Sequence, residues 1–302
     1  MNGPVRDQPV GALVRIEDPT DDRLGDYRAL QDRQLRERRE AQDAIFVVEG
    51  RVALRELLRS GCGLCSLLVD DHQARAIPDL VAAVRARQAP VYVATREVVA
   101  ATVGFALHRG VVAVARRPAP RDARELIASC QPGGRSVNLP LLGVIEGVND
   151  HENIGAIFRN AAGFGVRAVL LDPTCADPLY RRSVRVSAGH VLSVPFARLQ
   201  PWPSGLGELR RAGVVLVALA PHSSTGPAAR PPISPAQLSG RIAGASAVAV
   251  AVGAEGSGLS TGALRAADEI VSIPMAPGMD SLNVATAAAI TFYELTRRTG
   301  GP

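Results

Sequence analysis

The chain has 302 residues, 47% of them hydrophobic but only 4% aromatic, so it can bury a sizeable core built mainly from Ala, Val and Leu. That composition excludes wholesale disorder, and no charge-free apolar run reaches the ~18 residues a membrane span requires. The formal net charge is +5, and every basic residue is Arg.

Residues 1–22 are polar and acidic, contain Pro, and show no apolar signal core near Arg6, Asp7 and Arg15. They read as a flexible arm, and the reading that follows is a cytoplasmic protein without a secretion signal. Leu24 to Arg39 has a helical pattern with charge on one face. Alternating units come next: a strand and turn at 44–50, a helix from Val52 to Leu58, and a strand at 64–70. A helix from Ile77 to Arg87 and strands at 90–95 and 110–117 complete the series. The alternation predicts a small α/β sandwich over 23–118. Residues 119–138 are dense in Pro and Gly around a short helix near Leu126, and read as a linker. A second α/β series fills 139–302. A continuous apolar run at 139–148 predicts a buried parallel strand, and further strands are expected at 167–172, 214–220 and 247–253. Helices are expected from Asn153 to Phe164 and from Asn283 to Arg298, and the Pro-rich stretch 225–235 reads as a loop.

Cys62 and Cys65 form a C-x-x-C, but no second pair or His cluster follows at zinc-site spacing. Two buried small residues at a strand entrance are the reading preferred to zinc or redox chemistry. Charge is uneven: residues 23–121 hold 17 Arg against 11 Asp and Glu, while 139–302 hold 13 against 11. A basic first domain points to a polyanionic partner; a solvated Arg-rich surface is the alternative.

Three segments carry the chemistry: NIGAIFRNAAGFG (153–165), VGAEGSGLS (252–260) and IPMAPGMDSLNVATAAAI (273–290). Each sets polar or flexible residues beside an apolar run, as at the strand–helix junctions where open α/β sheets build ligand sites. The glycines at 253, 256 and 258 are spaced G-x-x-G-x-G, not as the dinucleotide fingerprint, and they follow a late strand. An NAD(P)-dependent enzyme is therefore disfavoured. Glu255 is either a helix-capping group or a site carboxylate. Asn153 reads as a helix cap or a site residue. Arg159 projects from a helix of small residues, either as a surface charge or as a phosphate clamp. Pro274, Pro277 and Gly278 forbid regular structure. They leave an apolar loop that can wrap a flat heterocycle, or else a buried connection capped by Ser281 or Asn283. Arg181, Arg182 and Arg185 lie within about one helical turn, as a phosphate-contacting patch or a solvated basic face.

Together these segments resemble the three motifs of the SpoU/TrmH class of RNA ribose methyltransferases in the SPOUT superfamily. Asn153, Gly155 and Arg159 match the first motif. Gly253, Glu255, Gly256 and Gly258 match the second. Ile273, Pro274, Met275, Ser281, Leu282 and Asn283 match the third. The resemblance implies a parallel-sheet α/β domain with a deep trefoil knot, preceded by a smaller α/β domain that recruits RNA. It also implies a homodimer through the C-terminal domain and S-adenosylmethionine as cofactor. It places the cofactor on Gly253, Gly256, Ile273, Met275, Leu282, Leu219 and Ala220, and catalysis on Arg159, Asn153, Glu255, Ser281 and Asn283. RNA contacts fall on Arg181, Arg182, Arg185 and Arg109. The implied substrate is a ribose 2′-hydroxyl, in ribosomal RNA ahead of transfer RNA, and no metal is required. A guanidinium stays protonated at any ordinary pH, so the role expected of Arg159 is to hold the target phosphate and stabilise developing alkoxide charge. A catalytically silent RNA-binding protein that keeps the fold is the alternative.

Overall fold

A computed structural model describes residues 11–28, 30, 43–105, 110–130, 139–221, 231–242, 244–279 and 281–299. The chain divides into two compact units. The first comprises Met1–Ala119 with Leu179–Leu192, the second Pro120–Pro178 with Ser193–Pro302.

The first unit is built on five strands: β1 (Leu13–Arg15), β2 (Ile45–Glu49), β3 (Leu64–Asp70), β4 (Val91–Ala94) and β5 (Val111–Arg116), in the order β1-β4-β3-β5-β2. β1, β4 and β3 run parallel, whereas β5 lies antiparallel to both β3 and β2. The helix Arg51–Ser60 turns Ala53, Leu54 and Leu57 inward. The helices Asp71–Ala76 and Arg96–Val103 start at side-chain caps, Asp70 and Thr95, and Pro78 opens the helix Pro78–Ala86 at a position where its missing N–H costs nothing. Tyr27 is fully buried, edge-on to Tyr92 at 6.4 Å, and hydrogen-bonded to the Ser66 hydroxyl at 2.6 Å. Burial pushes its phenol well above the ordinary range.

The structure departs from the expected arm and helix here. Residues 13–15 are a strand in register with 91–93. Asp22–Tyr27 is a 3-10 helix that buries Leu24 and Tyr27. Of the remainder of the helix expected to Arg39, only Arg28 and Leu30 are described. A three-residue strand cannot show period-2 alternation, so its pairing is invisible in sequence.

The second unit is a six-stranded parallel sheet: β6 (Leu141–Glu146), β7 (Ala168–Leu171), β8 (Phe196–Arg198), β9 (Val214–Leu219), β10 (Ala247–Gly253) and β11 (Glu269–Val271), ordered β11-β9-β10-β6-β7-β8. Its central strands are nearly unbroken Ala, Val and Leu because both faces are covered. On one side the helices His151–Gly163 and Val284–Thr299 bury Ile154, Phe158, Ala288 and Phe292. On the other, the helix Ala123–Ser129 packs Ala123, Leu126 and Ile127, with Cys130, against Leu142, Val144 and Leu170. The expected linker 119–138 therefore contains a core helix, capped by Asp122 and hidden from a composition reading by the Pro and Gly around it. Among the described residues no helix is long and apolar enough to cross a membrane.

Leu126→Ala should destabilise the second unit by about 2–5 kcal/mol through the cavity it leaves. Thermal unfolding followed by circular dichroism reads this as a clearly lowered Tm. A flexible linker residue would leave Tm unchanged.

Candidate active site

The C-terminal ends of β9, β10 and β11 open onto a cleft of about 1130 Å³. This is where parallel α/β sheets bind ligands, because loops there leave the sheet in diverging directions. Leu219 and Ala220 line it from β9, and Gly253, Glu255 and Gly256 from β10 and the turn beyond. Ile273, Met275, Ser281, Leu282 and Asn283 line it from the long loop after β11. All seven residues expected to hold a cofactor thus share one cavity.

The glycine turn has a specific geometry. The Gly258 N–H donates to the Ala254 carbonyl at 2.9 Å, so the chain folds back across Gly253. A Cβ on Gly253 would stand 2.2 Å from the Gly258 carbonyl carbon and 2.3 Å from the Leu259 nitrogen. Gly253 is therefore required by the turn's own backbone, before any ligand is considered. Gly256 and Gly258 hold φ of 88° and 65°, in the left-handed region that favours glycine.

Glu255 lies in this turn, and two amides donate to its Oε1: Asn153 Nδ2 and Asn283 Nδ2, both at 3.0 Å. Asn283 Nδ2 also donates to Asn153 Oδ1 at 2.8 Å. One residue from each of the three segments meets here. The capping alternatives resolve differently at each. Asp150, not Asn153, caps the helix His151–Gly163, accepting from the Glu152 N–H at 2.8 Å. Asn153 is buried one turn in, with its amide free to face Glu255. Ser260 caps the helix Thr261–Ala266, leaving Glu255 to the site. Asn283 does both: its Oδ1 accepts from the Ala285 N–H at 3.0 Å at the start of the helix Val284–Thr299, while its Nδ2 serves the cluster. Asn160 Nδ2 donates to the Ala285 carbonyl at 2.9 Å, tying the two helices at the same end.

Other expected residues lie apart from this cluster. Arg159 is exposed on its helix and is not among the cleft-lining residues. Arg181 pairs with Glu49 and stacks over the Phe105 ring at 4.9 Å, within the first unit. Glu49 is buried and needs a counter-charge, so Arg181 is spent on structure and is not free for a phosphate. Arg185 lies 3.7 Å from the same carboxylate, and Arg182 is exposed. Arg109 lies outside the described residues. Cys175 is buried, and its thiol is pushed up to about 12, chiefly by burial; Cys62 and Cys65 are half-buried, and no group of three or more metal-ligating side chains occurs among the described residues.

Comparison with known proteins agrees with this geometry. The sequence profile of the SpoU rRNA methylase family matches residues 140–293, and that of the RNA 2′-O ribose methyltransferase substrate-binding domain matches 47–121. The chain belongs to the SpoU rRNA methylase family. An uncharacterized tRNA/rRNA methyltransferase of Mycobacterium tuberculosis is 44% identical over 93% of this chain and 90% of its own length. The 23S rRNA (guanosine-2′-O-)-methyltransferase RlmB of Yersinia pestis is 29% identical over 75% of this chain and 85% of its own. The AdoMet-bound rRNA methyltransferase from Sinorhizobium meliloti shares the fold, with a TM-score of 0.76 at 22% identity, covering 95% of this chain and 98% of that one.

One buried group of this SpoU protein was not picked out by sequence reasoning. Glu146, at the end of β6 and in register with Gly253, is buried. The Trp202 indole N–H donates to its Oε1 at 2.5 Å and the Ser260 N–H to its Oε2 at 2.8 Å. It anchors the far end of the glycine turn. The available signal was a lone carboxylate inside the apolar run 139–148, since an unpaired buried Glu is rare.

Gly253→Ala should cost about 3 kcal/mol, the upper range for overpacking, because the obstructing atoms are backbone. Gly163→Ala is the control, with nothing within 4 Å of the added methyl; it should be neutral or stabilising. Equal Tm for the two variants would remove the backbone-crossing argument.

Proposed function

We propose that this chain transfers a methyl group from S-adenosylmethionine to a ribose 2′-hydroxyl of ribosomal RNA. The observation that carries this reading is the Asn153–Glu255–Asn283 cluster at the rim of an apolar cleft. The cleft fits a flat heterocycle. Its apolar lining includes Leu219, Ile273 and Leu282. The N–H groups of Ile273, Met275 and Leu282 have no hydrogen-bond partner among the described residues, and so are available to ring acceptors. When bound, S-adenosylmethionine supplies a sulfonium-activated methyl for in-line displacement, so the protein's part is to position an oxygen and manage its proton. Glu255, held through Oε1 by two amides, lines the cleft. Ser281 lines the same cleft. Arg159 holds the target phosphate and stabilises charge developing on the 2′-oxygen.

Within one chain Arg159 stands outside the cleft, and we infer that a second copy brings it there. An exposed aromatic on the same unit, outside the cleft, supports a homodimer: Tyr293 is 51% exposed. Ribosomal RNA is preferred to transfer RNA on the names of the family and of the RlmB relatives.

Isothermal calorimetry should show binding of S-adenosylmethionine and none of NAD; the reverse result would sink the reading. Arg159→Ala should lower turnover about a hundred-fold or more, while leaving cofactor affinity within a few-fold, the signature of a lost transition-state contact. Arg159→Lys should rescue it poorly, because a point charge lacks the planar fork.

The dimer has its own test. Arg159→Ala copies mixed with Glu255→Ala copies should regain activity, because one of the two sites in each mixed dimer is intact. No recovery in a mixture shown by light scattering to exchange subunits would place Arg159 in its own chain's site. The substrate is identified by mapping the 2′-O-methyl groups lost from ribosomal RNA when the gene is deleted.

A further inference from the structure

The helix Arg51–Ser60 has one face that packing does not use. Ala53, Leu54 and Leu57 point into the first unit. Gly189 closes on a flank, where a Cβ would stand 2.9 Å from Ala53 Cα and 2.8 Å from Glu56 Cβ. The outward arc holds Arg51, Arg55 and Arg59, all exposed, with Val52 between them at 40% exposure. Steps of four residues advance about 6 Å along a helix axis and turn only about 40° around it. The three guanidiniums therefore form a ladder up one side.

Stability does not account for this ladder. Like charges at i,i+4 repel across each turn. Arg51 stands in the first turn, where the macrodipole disfavours a cation, and no acidic residue there offsets it. Arg59 pairs with Glu56 at 2.9 Å, but Arg51 and Arg55 have no ion-pair partner among the described residues. Arg59 stands in the last turn, where a cation is favoured, but a face that strains the start of its helix and leaves two of its three cations unpaired is suited to a partner with regularly repeated anions.

We propose that this face tracks the sugar–phosphate backbone of the RNA substrate, one guanidinium to a phosphate, without reading bases. The proposal rests on the reading of the chain as an RNA methyltransferase. Guanidinium forks match phosphate oxygens in pairs. Phosphate contacts carry register and affinity but no sequence information, so the ladder holds the substrate while other residues choose the nucleotide.

The test uses the full chain with Arg51→Gln, Arg55→Gln and Arg59→Gln combined, and filter binding to protein-free ribosomal RNA at three salt concentrations. Affinity at low salt should fall about ten-fold or more, and the slope of log affinity against log salt should shrink by about two to three. Affinity for S-adenosylmethionine should be unchanged and Tm equal or higher. Arg241→Gln with Arg265→Gln, two exposed arginines of the second unit, should leave the slope nearly as it was. An unaltered slope in the triple variant, with the wild type still binding and methylating RNA, overturns the ladder and leaves the methyltransferase reading standing. An equal loss in the control pair overturns it as well, in favour of charge in general. A wild type that binds no RNA at any salt sinks the methyltransferase reading itself, and the ladder with it.

Discussion

The site depends on one set of hydrogen bonds, those by which Asn153 and Asn283 hold Glu255. The three residues lie more than a hundred positions apart at the extremes, and only the sheet brings them together. Asn153 is 8% exposed, so its amide cannot turn to water if Glu255 moves. A buried donor left without a partner costs about 1–3 kcal/mol. The constraint falls on Asn153 alone: Glu255 and Asn283 are exposed and can turn to water, but moving both away would strand the buried Asn153 amide. The cluster also holds a carboxylate with neutral amides instead of a cation. Among the described residues Glu255 has no ion-pair partner.

The geometry behind Glu255 is as constrained as that in front. The turn 254–258 crosses its own strand at Gly253, and its exit is gripped by Glu146 through the Ser260 N–H. The Trp202 indole N–H donates to the other carboxylate oxygen of Glu146 from a different connection of the sheet. A flexible glycine sequence therefore becomes a rigid turn. Its freedom is used to adopt the crossing and is then removed by hydrogen bonds at both ends. Such a turn can present backbone to a ligand without paying to order it on binding.

Long elements were legible because burial on both faces leaves unbroken apolar runs. β10 spans 247–253 as read, and the helices at 151–163 and 284–299 begin within two residues of expectation. Short elements were not. β1, β8 and β11 have three residues each, fewer than any period needs. The helix Ala123–Ser129 was masked by its neighbours' composition. At the site, the residues expected to hold a cofactor line one cleft, but the sequence did not show how Asn153, Glu255 and Asn283 meet there. Spacing alone could not tell whether Asn153 or Asp150 caps the helix, since both are good caps within one turn. Nor could it show that Arg181 answers Glu49, a pairing across more than 130 positions.

That last pair bears on how the chain can be divided. The segment Leu179–Leu192 lies in sequence within the family's methylase region, yet it clusters with the first unit and supplies the cation for that unit's buried Glu49. A buried carboxylate stripped of its cation is strongly destabilising, more so than the pair is stabilising. The first unit is therefore not closed by residues 1–119. The helix Ala123–Ser129 adds the complementary fact, because the core of the second unit begins before the family's methylase region does. Each unit draws structural residues from beyond the border that composition suggests, so a cut at the Pro- and Gly-rich stretch leaves a deficit on both sides. The two halves of this protein are distinct in charge and chemistry, but they are not independent pieces of chain.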